Sequence, residues 1–240
     1  MKLSNSPESE IPTEFYIFVN LLNNVTKLNL ENTKCISSSA FFQFITDSDK
    51  EFASKYLKGS ISAFSPHNEL NKNIKEDYIN GKLEYLPFEH NPKCNVNLMS
   101  MFNNHITSEY RTEYNCEHFR KLYFPKYPSR LSSCYAFGDY ESCKIVSEKY
   151  RWNLNSVKKF RLIPYEHNRV AKVNMEIVSL ERYANTFSSL DAETQQKIWA
   201  SYWNGIGNIK MELPTINGSQ VFESGIIWEY LIEGILQLID

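Results

Sequence analysis

The chain has 240 residues, of which 42% are hydrophobic and 14% aromatic, enough to close a substantial core without metal or disulfide support. Its net charge of -2 and pI near 6.2 advertise neither a broad nucleic-acid footprint nor a membrane-binding surface. Five cysteines, Cys35, Cys94, Cys116, Cys134 and Cys143, form no CxxC pair, which argues against a disulfide framework or a structural zinc site. The polar N-terminus lacks an apolar signal-type stretch, and no run is long enough to span a bilayer. A reducing, cytoplasmic setting and no membrane partner are expected.

Met1 to Thr13 reads as a flexible leader, followed by one domain over 14–240. Phe15-Tyr16-Ile17-Phe18-Val19 is a compact apolar run of strand length and is taken as the first core strand. From Ser39 the pattern turns helical: Phe41, Phe42, Ile45, Phe52 and Tyr56 form one inward stripe behind a serine cap. The stretch 60–101 is rich in Asn and Lys and carries Pro66, Pro87 and Pro92, so it reads as an elaboration of loops and short helices. A helix is predicted over Ser108 to Leu122. Pro125 and Pro128 then impose an extended approach to a strand led by serines, because proline disfavours helix at the residue before it.

Asp139 is a natural N-cap for a helix whose Tyr140, Cys143, Val146 and Tyr150 share a face, and Val157 to Ile163 reads as the next strand. Ser189 or Asp191 opens a helix bearing Ile198, Trp199, Tyr202 and Trp203, with Gly205 as its stop. Ile226 to Ile232 and Ile235 to Ile239 are two short strands, or one strand bent at Gly234. The first of these contains Glu229, a carboxylate inside an apolar strand signal, where a charge is expensive unless it is partnered or put to use.

Several constellations carry little. Cys116 with His118, and His90 with Cys94, lack further ligands at recognisable spacing, so no metal is expected. The cysteines read as core residues rather than as nucleophiles. Neither a Walker-type loop nor GxGxxG occurs, and Gly205-Ile206-Gly207 is a turn signal. Lys158, Lys159 and Arg161 beside Phe160 read as the solvated face of a strand, with phosphate contact as the other reading.

Three separated pieces, Phe15 to Asn20, Ser129 to Phe137 and Glu229 to Ile232, occur in the order found in the ADP-ribosyltransferase superfamily. In that superfamily the first core strand supplies an Arg or His to the NAD pocket, a central strand carries a Ser/Thr motif, and a late strand opens with the catalytic Glu. Ser132 and Ser133 resemble the second element, and Glu229-Tyr-Leu-Ile is similar to the third. Glu109, Arg111, the Pro128-Ser129-Arg130 turn, Asp139 and Tyr202-Trp203-Asn204-Gly205 resemble a small, poorly characterised bacterial and phage branch. The resemblance implies an α+β fold of split, mostly antiparallel sheets with surrounding helices and an NAD cleft.

It also implies roles. Cleaving nicotinamide from ribose builds positive charge on the ribose, so a carboxylate there gains strength as the transition state forms. Glu229 takes that role by resemblance. Ser132 or Ser133 would donate to that carboxylate and support the ribose, while Arg130 would hold pyrophosphate oxygens through its planar fork. Tyr16, Phe18, Tyr135, Phe137 and Tyr202 would line the cofactor site, the aromatic rings flanking nicotinamide or adenine.

Two departures qualify this. Phe18 or a neighbour stands where relatives carry Arg or His, so the polar contact is lost or comes from Arg130 or Arg111. Ile227 stands two residues before Glu229 in place of the Glu or Gln of many protein-modifying transferases, which favours a nucleic-acid base or another acceptor. Glu233, before Gly234, reads as a turn residue.

Three functions follow as expectations. The first is NAD-dependent mono-ADP-ribosyl transfer to a macromolecule, RNA, DNA or protein, as a toxin or phage-conflict factor with an antitoxin or inhibitory partner. The second is NAD hydrolysis, with water as acceptor. The third is a non-catalytic binding module on the same fold, with Trp199 and Trp203 as its aromatic surface.

Overall fold

Strand β1, Glu14–Phe18, buries alternate residues: Phe15 and Ile17 face inward while Glu14, Tyr16 and Phe18 are half-buried. It opens a computed structural model that describes residues 11–57, 79–81, 103–187, 190–215 and 217–239. Residues 11–13, placed in the leader by the sequence reading, are packed. Ile11 lies against the core and the Thr13 carbonyl accepts from Leu162 N at 3.1 Å.

Helix α1 (Asn24–Thr33) leads to strand β2 (Cys35–Ser37), and two helices follow, α2 (Ser39–Ser48) and α3 (Lys50–Tyr56). The single helix predicted from Ser39 is therefore broken. Asp49 caps the second helix by accepting from Phe52 N at 3.0 Å, a local bond that competes with helix continuation. The elaboration predicted over 60–101 lies outside the described residues except at 79–81.

Helix α4 (Asn103–Tyr123) extends the one predicted over Ser108 to Leu122. Strand β3 (Cys134–Ala136) follows the proline segment, and helix α5 (Tyr140–Tyr150) starts at Asp139, whose carboxylate accepts from Ser142 N at 2.7 Å. Beyond lie β4 (Val157–Leu162), β5 (Arg169–Asn174), α6 (Met175–Phe187) and α7 (Ala192–Trp203). Asp191 caps α7, and Gly205, at φ +64°, takes the left-handed conformation that ends it. A hairpin, β6 (Lys210–Thr215) and β7 (Gly218–Glu223), precedes β8 (Trp228–Glu233) and β9 (Ile235–Leu238).

The strands form antiparallel sheets, one of four strands in the order β1-β4-β9-β2 and one of three in the order β3-β8-β5, beside the β6-β7 hairpin. With the helices around them the architecture is α+β. Gly234 alone separates β8 from β9, so the chain changes sheet within one residue. A Cβ there would come within 2.9 Å of Asn168 Oδ1 and of Leu162 Cδ1, so a larger residue at the crossing must push the ends of those two side chains aside. The sheets are also tied by reciprocal backbone bonds of 2.8 Å between Tyr16 and Phe137.

Strand β8 separates two cores. Tyr230 and Ile232 face the four-stranded sheet, where they meet Phe15, Phe160 and Leu236. Leu231 faces the other way, onto Ile177, Trp199, Tyr202 and Trp203 of α6 and α7. By the same alternation, Glu229 and Glu233 point to the helical side.

Lys159 and Arg161 share one face of β4 and pair with Glu14 on β1, each at 2.8 Å, as a solvated strand face requires, while Lys158 is exposed on the face that carries Phe160. Among the described residues, no helix is long and apolar enough to cross a membrane.

Candidate functional site

The segment between α4 and β3 is built from the helix end outward. Arg120, fully buried, donates from Nη1 to the carbonyls of Pro125 at 3.1 Å and Tyr127 at 3.0 Å, while Nε and Nη2 bind Glu117 at 3.0 and 2.6 Å. In place of the extended approach expected there, Pro125 and Lys126 make a turn closed by Tyr127 N on the Phe124 carbonyl at 2.9 Å, and Arg120 satisfies the carbonyls of Pro125 and Tyr127. A tight serine turn follows. The Ser129 carbonyl accepts from Ser132 N at 3.2 Å, Ser133 N at 2.9 Å and Ser133 Oγ at 2.6 Å.

This turn aims Arg130 into the space between β8 and the helices. Its Nη1 donates to Glu229 Oε1 at 2.8 Å and to the hydroxyl of Tyr202, which itself donates to Glu229 Oε1 at 3.3 Å. Its Nε and Nη2 grip Glu113 on α4 at 2.8 and 3.1 Å, a bidentate pair. The guanidinium carbon lies 5.1 Å from the ring centre of Tyr135 and 5.4 Å from that of Tyr202, and the Tyr135 hydroxyl donates to the Arg130 carbonyl at 2.6 Å. All three guanidinium nitrogens are thus engaged. Arg182 of α6 adds a second cation to Glu113, from Nη2 to Oε1 at 2.8 Å.

Burial governs the electrostatics. Glu229 is 4% exposed, and its removal from water pushes the carboxyl above the ordinary glutamate value although Arg130 and the Tyr202 hydroxyl pull the other way. Burial also opposes ionisation of Glu113, but Arg130 and Arg182 outweigh it and hold that carboxyl below its ordinary value. For Arg130, burial is outweighed by the carboxylates of Glu113 and Glu229, which keep the guanidinium charged. The Tyr202 phenol is pushed far up by its burial and stays neutral.

Ser132 serves a different carboxylate from the one the sequence assigns it. Its hydroxyl donates to Glu233 Oε1 at 2.6 Å, the same oxygen that accepts from Ser129 N at 3.1 Å, and Arg169 of β5 pairs with Glu233 Oε2. Glu233 is accordingly no turn residue. It is the fully buried last residue of β8, opposite Arg169 in the ladder. Ser133, bonded to the Ser129 carbonyl, closes the turn.

The structure gathers Glu229, Arg130, Tyr135 and Tyr202. Tyr16, Phe18 and Phe137 pack instead around Cys143, Val146, Met175 and Ile227, a cluster next along the β8 face. There Phe18 meets Phe137 and Trp152 edge to face, and Tyr16 tilts against Tyr140. Ile227 thus continues the apolar face up to Glu229. Arg111 donates to Asn185 O at 3.2 Å. Glu109 falls on α4, with its side chain outside those described.

Trp199 and Trp203 form no aromatic surface. Both are buried, and Trp203 Nε1 donates to Cys116 O at 3.2 Å. Cys116 faces that core while His118 is exposed and stacks on Tyr114; Cys94 and His90 lie outside the described residues.

Glu113, Arg120, Arg169 and Arg182 are the site residues that sequence reasoning misses. A signal exists for two of them. Glu113, Cys116, Glu117 and Arg120 recur at spacings of three and four and so share one helix face with an apolar core residue, which places charge on an inward stripe.

Compared with protein-family models and with curated proteins, the sequence matches none.

Proposed function

We propose that the chain is an NAD-dependent mono-ADP-ribosyltransferase in which Glu229 is the catalytic carboxylate. The observation that carries the reading is Glu229 itself: a carboxylate held almost out of water near the start of a central antiparallel strand, with its position set by Arg130 and Tyr202. A desolvated carboxylate interacts strongly with positive charge that develops beside it, because little water is left to screen it. NAD, when bound, would supply the ribosyl cation equivalent that this carboxylate stabilises. Tyr135 and Tyr202 lie against the Arg130 guanidinium that holds Glu229, and their faces suit a planar cationic ring. Arg130 is fully engaged with Glu229, Glu113 and Tyr202, so its fit is to orienting the carboxylate more than to holding pyrophosphate.

The acceptor fits a macromolecule other than an arginine-bearing protein. Ile227, two residues before Glu229, is buried among Phe137 and Met175 and presents no group to bind a guanidinium. A nucleic-acid base is the acceptor class we favour.

The test is incubation of wild type and Glu229→Gln with adenine-labelled NAD and a cell lysate, with label followed separately in protein, RNA, DNA and free ADP-ribose. Transfer that disappears in the variant supports the reading, and the labelled fraction names the acceptor. Release of free ADP-ribose alone makes the chain an NAD hydrolase.

One observation favours a second reading. The same pairing of Glu229 with Arg130 is that of a buried structural ion pair in a non-catalytic module. Intact NAD in both samples, with both proteins folded, selects it.

A further inference from the structure

We propose that Glu113 and Arg182 are positioning residues that set the charge carried by Glu229, acting on it through the Arg130 guanidinium. Four side chains of alternating sign form a continuous line. Arg182 Nη2 binds Glu113 Oε1 at 2.8 Å, and Glu113 in turn takes Arg130 Nε and Nη2 at 2.8 and 3.1 Å. Arg130 Nη1 then binds Glu229 Oε1 at 2.8 Å. The line runs inward from Arg182, whose side chain is 42% exposed, through Glu113 at 17%, to Arg130 and Glu229 at 6% and 5%.

Charge balance gives the line its effect. With Glu229 ionised the four groups sum to zero; with Glu229 protonated they carry one uncompensated positive charge where screening is weak. Removing Glu113 leaves two guanidiniums facing one carboxylate, which favours the ionised form of Glu229. Removing Arg182 leaves two carboxylates sharing one guanidinium, which favours its protonated form. Arg130 transmits both effects because its planar fork is shared between Glu113 and Glu229.

The other groups around Glu229 stay neutral or lie farther back. Tyr202 of α7 donates to Glu229, Tyr135 of β3 donates to the Arg130 carbonyl, and the Cys116 thiol of α4 is held neutral by burial. Tyr150 of α5 is pushed up to about 12, by burial first and then by Glu176. On β5, Val173 stands opposite Glu229. Glu181 of α6 bonds Thr112 and Asn185 and also faces Arg182 and Arg111, the second of which bonds Asn185 O, so it adds its charge at the outer end of the line.

The consequence for turnover rests on the transferase reading, whereas the charge coupling is measurable without it. The experiment is a 13C NMR titration of the whole protein labelled at glutamate carboxyls, with the Glu229 resonance assigned by its loss in Glu229→Gln. Glu113→Gln is expected to lower the Glu229 midpoint by about half a pH unit or more, the scale on which neighbouring charges act. Arg182→Gln raises it, and Glu113→Asp restores the wild-type direction. Wherever NAD turnover is found, the acid limb of its pH profile moves the same way in each variant.

A purely structural Glu113 would alter stability and leave the Glu229 midpoint in place, and an unmoved midpoint in folded Glu113→Gln overturns the proposal. Should that variant fail to fold, Arg182→Gln decides alone, since it changes the outer, half-exposed end; an unmoved or lowered midpoint there is equally fatal. Absence of NAD turnover with the midpoints shifted as expected removes the transferase reading and leaves the coupling standing.

Discussion

Ser132 and Glu233 are joined by a 2.6 Å hydrogen bond from the serine hydroxyl to Oε1, so the turn before β3 is pinned to the last residue of β8. The bond lies next to Gly234, where the chain leaves the three-stranded sheet for the four-stranded one. Ser129 N and Arg169 bind the same carboxylate. Arg130 projects toward Glu229 from within the turn that Glu233 anchors.

The two serines should therefore differ in stability terms. Ser132→Ala removes a donor from a fully buried carboxylate and is expected to lower unfolding free energy by about 1–3 kcal/mol. Ser133→Ala loses a bond to a half-buried turn and is expected to cost about 0.5–1.5 kcal/mol. Urea unfolding of both variants measures this, and a larger loss for Ser133→Ala would contradict the assignment.

Arg130→Met leaves Glu229 without its cation and Glu113 with Arg182 alone, and breaking a buried pair in this way typically costs about 3–5 kcal/mol. In the double variant Arg130→Met, Glu229→Met, one stranded charge is gone, so the combined loss should be smaller than the sum of the single losses. A double-mutant cycle by chemical denaturation reads the coupling directly, and strict additivity would show that the two side chains do not interact.

Glu181 offers a pH test. It is fully buried, and burial raises its carboxyl above the ordinary value of 4.5 despite the donors Thr112 and Asn185 and the nearby Arg111 and Arg182. Between the unfolded value and the raised folded one, the native state binds more protons than the unfolded chain, so this group lowers stability as pH rises through that window. Glu181→Gln lacks the effect. Its stability relative to wild type should improve as pH climbs above 4.5 and level off beyond the folded value. Denaturant unfolding at several pH values gives the difference, and a constant or declining difference refutes the assignment.

The buried thiols should be inert. Burial, then Asp139, pushes Cys143 up to about 12, and burial drives Cys116 well above the ordinary thiol value. Both remain protonated at pH 8, and the thiol form is a poor nucleophile. Site-resolved mass spectrometry after iodoacetamide treatment of the native protein should find both unmodified, with labelling only after denaturation. Rapid native labelling of Cys143 would show that α5 opens.

Local signals carried much of the architecture. Asp139 and Asp191 are short polar side chains placed just before apolar residues at helical spacing, and each caps the helix it announces. Gly205 stops α7 because it adopts a left-handed conformation. The compact apolar run Phe15 to Val19 marks β1, and the apolar run around Glu229 marks β8. These are properties of residues within a few positions of one another, where backbone sterics and periodicity act. The break at Asp49 was hidden because the apolar stripe passes smoothly across it.

The Glu229 environment was legible only in part. An expensive charge in an apolar strand pointed to Glu229, and the serine turn pointed to Arg130, but nothing local names their partners. Glu113 is 17 positions from Arg130, and Glu229 is 99. Which carboxylate receives Ser132 depends on the register of β3 against β8, and whether Trp199 and Trp203 form a surface depends on what packs over α7. Sequence by itself determined the helical stretch from Ser39, helices α4, α5 and α7 with the caps Asp139 and Asp191, strands β1, β3, β4, β8 and β9, and the presence of a costly carboxylate, since those follow from short-range sterics and hydrophobic periodicity, whereas α1, α6, β2, β5, β6 and β7 emerged only in the structure. Only the tertiary structure decided the pairing of Arg130 with Glu113 and Glu229, and of Ser132 with Glu233, because burying a charge is a question of what distant chain segments are brought beside it.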